Sequence, residues 1–389
     1  MPGLGFPSSD QVYAGRHGCV TPCIRLPLVD RITQRALNRT TLGRQLLLER
    51  SGGPIGATIE HLVGMQGQNP HDPYYGLWSR LQRFDPEELS RMVERRDAVR
   101  GCLLRGTIHL ATTADFVALR SQLQPTLAAV LGSTSFAKDT REVDWEALLE
   151  LGRSLIEKEP MTRAALAGPL EERWPGVPGP SLAMVVTYLL PVVQVTPRGL
   201  WGRSGPAAWT TIESWAGLEI PMETSMESTV WRYLAAFGPA SIPDMRVWSR
   251  LPDLRRVVDA MRPRLRVLES ENGAELLDIP DGPILDEDTP APPRFLPEYD
   301  NVLLGHQDRS RFFLPDVIPQ GWVGNLLVDG LFSRSFKVHR SKGRARLDVS
   351  LLRKISRADV TAVEEEAERL LLFADPDTEQ RELVIADDR

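Results

Sequence analysis

From Asp30 onward the apolar residues fall at helical spacing. Leu42, Leu46 and Leu47 mark one buried face and Ile59, Leu62 and Val63 a second, with the breaker Gly52-Gly53-Pro54 between them. A third helix is predicted to begin at Pro86, with Asp85 as its N-cap and Leu89, Met92 and Val93 as its buried stripe. The period then shortens from about 3.6 to about 2. Val99, Cys102, Leu104, Thr107, Ile108 and Leu110, around Gly101 and Gly106, predict a short β-hairpin.

Three helices followed by a hairpin form the pattern of a winged helix, and the pattern recurs. In the second copy, helices are predicted over Trp145 to Ile156, Arg163 to Gly168 (capped by Thr162) and from a Ser181 cap to Leu190, with a wing from Val193 to Trp209. The third copy runs from Thr229 to Phe237, Ile242 to Leu251 and Leu254 to Met261. Its wing, Leu265 to Leu268 and Glu275 to Asp278, turns at Glu271-Asn272-Gly273. Glu159-Pro160-Met161-Thr162 and Gly238-Pro239-Ala240-Ser241 read as the same helix-turn element twice.

After a Pro-rich linker, Pro280 to Pro293, strands are predicted from Trp322 to Val328 and from Leu331 to Val349, around Asp329-Gly330 and Lys342-Gly343. An amphipathic helix from Ala358 to Phe373 and an acidic tail follow. The predicted fold class is α+β, mostly helical. It comprises a poorly ordered extension (1–30), tandem winged-helix units (31–125, 126–222 and 223–290) and a β-rich C-terminal region (291–389).

The chain has 389 residues, 42% hydrophobic and 25% charged, which excludes wholesale disorder. Pro191 interrupts the longest apolar run, Leu182 to Val193, and no secretory signal is visible, so no membrane partner and a cytoplasmic, nucleoid-associated location are expected. Three cysteines, Cys19, Cys23 and Cys102, fit a reducing compartment. His17, Cys19 and Cys23 lack a fourth ligand nearby, and His61, His71 and His339 form no local cluster, so neither a metal nor a cofactor is expected.

Charge is unevenly spread. Between Asp359 and Arg389 lie 11 acidic and 3 basic residues, so the net charge of −6 leaves +2 for the preceding chain. Arg246 to Arg266 holds 7 Arg against 2 Asp, and Arg334 to Arg357 holds 9 Lys or Arg against 1 Asp. Such stripes suit a phosphate-binding surface, and equally a solvated surface offset by the tail.

The most unusual local feature is Met65-Gln66-Gly67-Gln68-Asn69-Pro70, read as the C-terminal end of an apolar helix. On a regular helix the two amides would point about 200° apart. Pro70 favours an earlier stop, which would let both amides converge. Alternatively, they satisfy carbonyls at the helix end.

In several segments the chain resembles the AlkZ/YcaQ family of winged-helix DNA glycosylases. These are Leu37-Asn38-Arg39 with Leu46-Leu47-Leu48, Gln66 and Gln68, Gly76-Leu77-Trp78-Ser79-Arg80-Leu81, Arg105-Gly106-Thr107-Ile108-His109-Leu110, Leu303-Leu304-Gly305-His306-Gln307-Asp308-Arg309, and Val328-Asp329-Gly330. The resemblance spans roughly residues 35 to 375. It implies a glycosylase of the AlkZ-like branch, which uses a Gln-x-Gln pair where the YcaQ-like branch has Asp at the second position. Gln66 and Gln68 are thus the expected catalytic residues. The middle position, usually a larger apolar residue, is here Gly67, which would loosen the loop or open space for a bulkier adduct.

A neutral amide is a weak base, so two glutamines suffice only for a good leaving group. They can orient water and set partial negative charge beside an oxocarbenium-like sugar. An N7- or N3-alkylated purine carries positive charge and leaves as a neutral base, so the expected substrates are bulky cationic N-alkylpurines in double-stranded DNA, such as N7-alkylguanine or interstrand crosslinks. With no lysine nucleophile implied, monofunctional action is expected, and the internal repeats suit a monomer; the resemblance implies a role in DNA repair or in self-resistance to a genotoxic natural product.

His109, Asp300, His306 and Arg309 are candidates to line the cleft, against His109 bonding within its hairpin and Asp308 pairing with Arg309 or Arg311. Arg105, Arg198, Arg203, Arg262, Arg264 and Arg266 are the candidate DNA contacts. Tyr74, Tyr75, Trp78 and Trp201 could stack on bases, though Trp78 and Leu81 also suit a core. From a different class, the competing reading is a non-catalytic winged-helix DNA-binding or transcriptional regulatory protein. A protein-interaction scaffold is a third.

Overall fold

The computed structural model describes residues 30–387, apart from 223, 316, 318–323 and 342. The N-terminal extension with His17, Cys19 and Cys23, and also Trp322 and Lys342, lie outside the described residues.

The first helix, Gln34–Arg44, starts where the Thr33 hydroxyl accepts from the Ala36 amide (3.1 Å). It ends earlier than the leucine spacing predicts. Leu46 adopts φ +58°, so that the Leu47 amide returns to the Leu42 carbonyl (2.9 Å) and Leu47 is buried beside Leu42. Burial of Leu47 offsets the cost of a left-handed leucine. The second helix, Ile55–His61, also stops early, because Val63 (φ +55°) and Gly64 (φ +84°) turn the chain out of it. Met65–Gln66 is therefore a strand and not the helix end expected from the sequence.

That strand pairs antiparallel with Ile108–Thr112, setting Met65 against Leu110 and Gln66 against His109. Ala98–Cys102 forms the other arm of the predicted hairpin. Through Arg100 opposite Gln194 and Gly101 opposite Val193, the hairpin continues into Val192–Gln194, Ala208–Thr211 and Met161–Thr162, giving one six-stranded sheet. The expected second and first units thus share a sheet. Pro86–Glu94 is helical with Asp85 as its cap, as predicted. The helix Thr113–Gly132 was not legible and runs across the expected border at 125/126.

In the second unit the helices are Trp145–Lys158, Arg163–Arg173 and Gly179–Leu189. Ser181 is not a cap; it is buried inside the last of these and donates to Asp139 (2.6 Å). In the third, Met226–Phe237, Ile242–Ser249 and Leu254–Met261 precede the hairpin Arg266–Ser270 and Glu275–Asp278, and Asp30–Ile32 joins that hairpin in parallel. Phe116 and Leu123 from the long helix share one core with Tyr233, Phe237 and Trp248, which ties the first unit to the third.

The C-terminal part is a five-stranded sheet backed by the helix Arg357–Ala374. The expected acidic tail is partly structured: Gln380–Asp387 is an edge strand parallel to Arg344–Leu351. Among the described residues, no helix is long and apolar enough to cross a membrane.

Candidate active site

Gln66 is buried, and its side-chain oxygen accepts from Arg105 Nη2 at 2.7 Å. Arginine has only donors, so this bond fixes which end of the Gln66 amide is the carbonyl. Arg105 also donates from Nη1 to the Trp248 carbonyl (2.9 Å) and from Nη2 to Asn301 Oδ1 (3.3 Å). Its backbone lies at φ +58°, ψ 9°, beside Gly106 at φ +74°, a left-handed turn that aims the side chain inward between the two hairpin strands. Burial first, then Arg250, pushes the Arg105 pKa down to about 10, which still leaves it charged at neutral pH. Arg105 was expected at the DNA backbone; its guanidinium is engaged inside the protein.

His109 stands opposite Gln66 and is fully buried. Nδ1 lies 3.0 Å from the Thr107 carbonyl and so carries the proton, leaving Nε2 as acceptor toward Arg105 Nη2 at 3.5 Å. Burial, then Arg105, drives its pKa down to about 3, so it is neutral. Bonding within the hairpin and adjacency to Gln66 both hold for this residue.

Gln66 borders a cavity of about 10 Å³ together with Asp72, Arg80, Asp300 and Asn301. Asp300 is buried in a two-point ion pair with Arg80 (2.7 and 2.8 Å) and caps the short helix Asn301–Leu304. It holds the wall of the cavity in place. Asn301, overlooked in the sequence, donates to the Gly64 carbonyl (2.9 Å) and accepts from Arg105. Asp72 was overlooked too. Its Oδ2 is buried without a hydrogen-bond partner among the described residues, and burial, with Glu298 adding to it, raises its pKa to about 7.

Gln68 is exposed, and its side-chain oxygen accepts from the Ile108 amide (3.4 Å). It borders a different and larger cavity, of about 330 Å³. Between the two glutamines, Gly67 is buried. A Cβ there would lie 3.2 Å from Pro73 Cγ and 3.3 Å from Arg100 Nη1. Arg100 is itself buried and donates to the carbonyls of Gly67 (2.8 Å) and Pro70 (3.2 Å). The expectation that Gly67 loosens the loop or opens space therefore fails, since a guanidinium and a proline ring crowd that space and pin the loop.

Other candidates are placed elsewhere. His306 does not line the cleft. It is buried against Tyr233, Phe237 and Phe312, 3.0 Å from both the Phe237 carbonyl and Arg311 Nη1, with its pKa pushed down to about 3 by burial and then by Arg311. Arg309 is exposed and stacks on Phe313, 4.5 Å from the ring centre. Arg203 is exposed, whereas Arg198 is half-buried at the larger cavity and donates to the Gly205 carbonyl (2.9 Å). Arg262, Arg264 and Arg266 pair with Glu275, Glu227 and Asp30, exposed pairs of little stabilising value. Tyr74, Tyr75, Trp78 and Trp201 pack on one another or on Phe373 and so form an internal aromatic cluster. Among the described residues no group of His, Cys, Asp and Glu side chains is placed to hold a metal.

The motif segments meet in pairs. Asn38 donates to the Gly330 carbonyl (2.8 Å), Arg39 pairs with Asp329, Arg80 pairs with Asp300, and Arg105 reaches Asn301. They are tertiary joints between segments distant in the chain.

This architecture matches a DNA glycosylase. Superposed on the DNA glycosylase AlkZ of Streptomyces sahachiroi, the chain gives a TM-score of 0.68 at 18% identity, over 92% of this chain and all of that one. The model of the DNA glycosylase AlkZ-like family matches residues 59–373, a span that includes Gln66, Gln68, Arg105 and Asn301, and the chain belongs to that family. No curated protein matches its sequence.

Proposed function

We propose that this chain is a monofunctional glycosylase that hydrolyses the N-glycosidic bond of bulky, cationic N-alkylpurines in double-stranded DNA, with Gln66 and Gln68 as its catalytic residues. The observation that carries the proposal is the Gln66–Arg105 bond. It holds a buried amide in one orientation, with the second lone pair of its oxygen left to accept from a water. Gln68 hangs from the next residue of the same strand partner, at Ile108. With the lesion bound, the two amides flank the sugar: they orient the attacking water and place partial negative charge near a carbon that becomes cationic as the base departs.

Neither amide removes a proton efficiently, so the reaction depends on a base that leaves neutral. That requirement selects alkylated purines and spares normal ones. Arg203 and the pairs at Arg262, Arg264 and Arg266 supply the phosphate contacts in this reading, and the protein acts as a monomer that leaves an abasic site. DNA repair, or self-resistance to an alkylating natural product, is the corresponding cellular role. The test is release of free base from a duplex carrying N7-methylguanine. Release without strand cleavage supports the proposal, whereas sequence-selective binding with no release would move the chain to the regulator class.

A further inference from the structure

The 330 Å³ cavity has Gln68 on its rim beside Ile108, and the rest of its lining has no assigned role in the reaction. One wall is the hairpin, at Cys102, Gly106 and Ile108; the facing wall belongs to the second unit, with Phe136, Tyr188 and Trp209. We propose that this cavity receives a planar aromatic substituent carried on N7 of the purine, and that Arg163 binds an acceptor oxygen on that substituent. The inference rests on the glycosylase reading of Gln68.

Position is the first argument. In a purine, N7 and N9 are bonded to the same carbon, C8. Whatever reaches the glycosidic bond at N9 therefore has the N7 substituent as its neighbour, and Gln68 lies on the rim of this cavity. Size is the second. A methyl group would leave the cavity almost empty, while its volume sits at the lower end of the roughly 300–1,000 Å³ that suits ring-bearing ligands.

Chemistry is the third. Three aromatic rings in the lining favour a flat π-system. The Arg163 guanidinium lies over Trp209, 5.1 Å from the ring centre, and Nε donates to Thr187 Oγ1 at 2.8 Å. That bond fixes the guanidinium plane. Among the described residues Arg163 has no other hydrogen-bond partner, so its two terminal nitrogens remain free to donate. Tyr188, by contrast, already donates to the Gly106 carbonyl (3.0 Å) and serves as a wall. Cys102 is the one thiol in the lining, and burial pushes its pKa up to about 11, so it stays protonated and resists capture by an alkylating group.

The test uses duplexes with a single N7-methyl-, N7-benzyl- or N7-(4-acetylbenzyl)guanine, and the same three stabilised by a 2′-fluoro sugar for binding. Wild type should release the acetylbenzyl base with kcat/KM at least about tenfold above the methyl base. Ala207→Phe fills the cavity from its half-buried edge and should collapse that ratio toward one. Arg163→Met should abolish the advantage of acetylbenzyl over benzyl while benzyl stays ahead of methyl, which a folding defect would not produce. A wild-type ratio near one, or a ratio that survives A207F, overturns the cavity assignment while the glycosylase stands. If no base is released at all, the glycosylase reading fails, and binding to the stabilised duplexes decides the cavity alone. Weakening by A207F confined to the aromatic adducts sustains it, and equal affinities for all three duplexes overturn it.

Discussion

Arg105 Nη2 donates to Gln66 Oε1 over 2.7 Å, so an amide assigned to catalysis is oriented by a cation on the neighbouring hairpin. In the proposed reaction Arg105 acts through Gln66, as a positioning residue. Arg105→Met should lower kcat about 100-fold with KM little changed, the effect of misplacing a reacting group. Arg105→Lys, which keeps a cationic donor, should recover part of the loss. Single-turnover base release would show this, and an R105M variant with wild-type kcat would remove Arg105 from the account.

Gly67 stands where the resemblance leads one to expect a larger apolar residue, yet Pro73 and Arg100 crowd the space a side chain would take. Gly67→Leu should therefore destabilise the protein by about 1–3 kcal/mol through overpacking. Urea unfolding would read this as a lower midpoint at unchanged slope. An unshifted midpoint would mean that the loop has room after all.

The sequence showed the hairpins, the capped helix at Pro86 and the Gln-x-Gln pair, because each rests on short-range period or chemistry. It hid the strand at Met65–Gln66, since the apolar run from Ile59 keeps helical spacing and the left-handed turn at Val63 leaves no mark of its own; Gly64 was the available signal. Asn301 and Asp72 come to Gln66 through tertiary packing, so no local pattern could announce them. Arg105 was visible as a basic residue, but its direction depends on a backbone angle. The links between Arg39 and Asp329 and between Arg80 and Asp300 join segments far apart in the chain, which no local pattern in the sequence announces.

Asp72 gives a pH signature. Its folded pKa, raised to about 7 from an ordinary 3.8, means that the unfolded chain loses the proton first as pH rises. Stability from this group is therefore full below about pH 4, falls between about pH 4 and 7, and is flat above. Asp72→Asn removes the buried charge. It should be more stable than wild type by about 2–4 kcal/mol at pH 8 and nearly equal to it at pH 4. Thermal unfolding of both proteins across this range would check it; a difference that does not vary with pH would exclude a buried titrating Asp72.

His306 tests the division between framework and site. Buried and neutral, it anchors the segment after Asn301–Leu304 through Nε2, which either donates to the Phe237 carbonyl or accepts from Arg311 Nη1. His306→Gln should cost about 1–3 kcal/mol of stability and leave kcat unchanged. Because its folded pKa is depressed, wild type should lose stability as pH falls from about 6.5 toward 3, and H306Q should lose less. A large drop in kcat at unchanged stability would return His306 to the reaction.

The central claim is hydrolysis of a cationic N-alkylpurine by two positioned amides. The most direct measurement is release of 7-methylguanine from duplex DNA by the wild type, Gln66→Ala and Gln68→Ala, with strands analysed before and after chemical cleavage of abasic sites. The account predicts release by the wild type, a loss of about 100-fold or more in each variant, and strand breaks only after chemical treatment. Wild-type rates in both variants, or strand breaks without treatment, would contradict it.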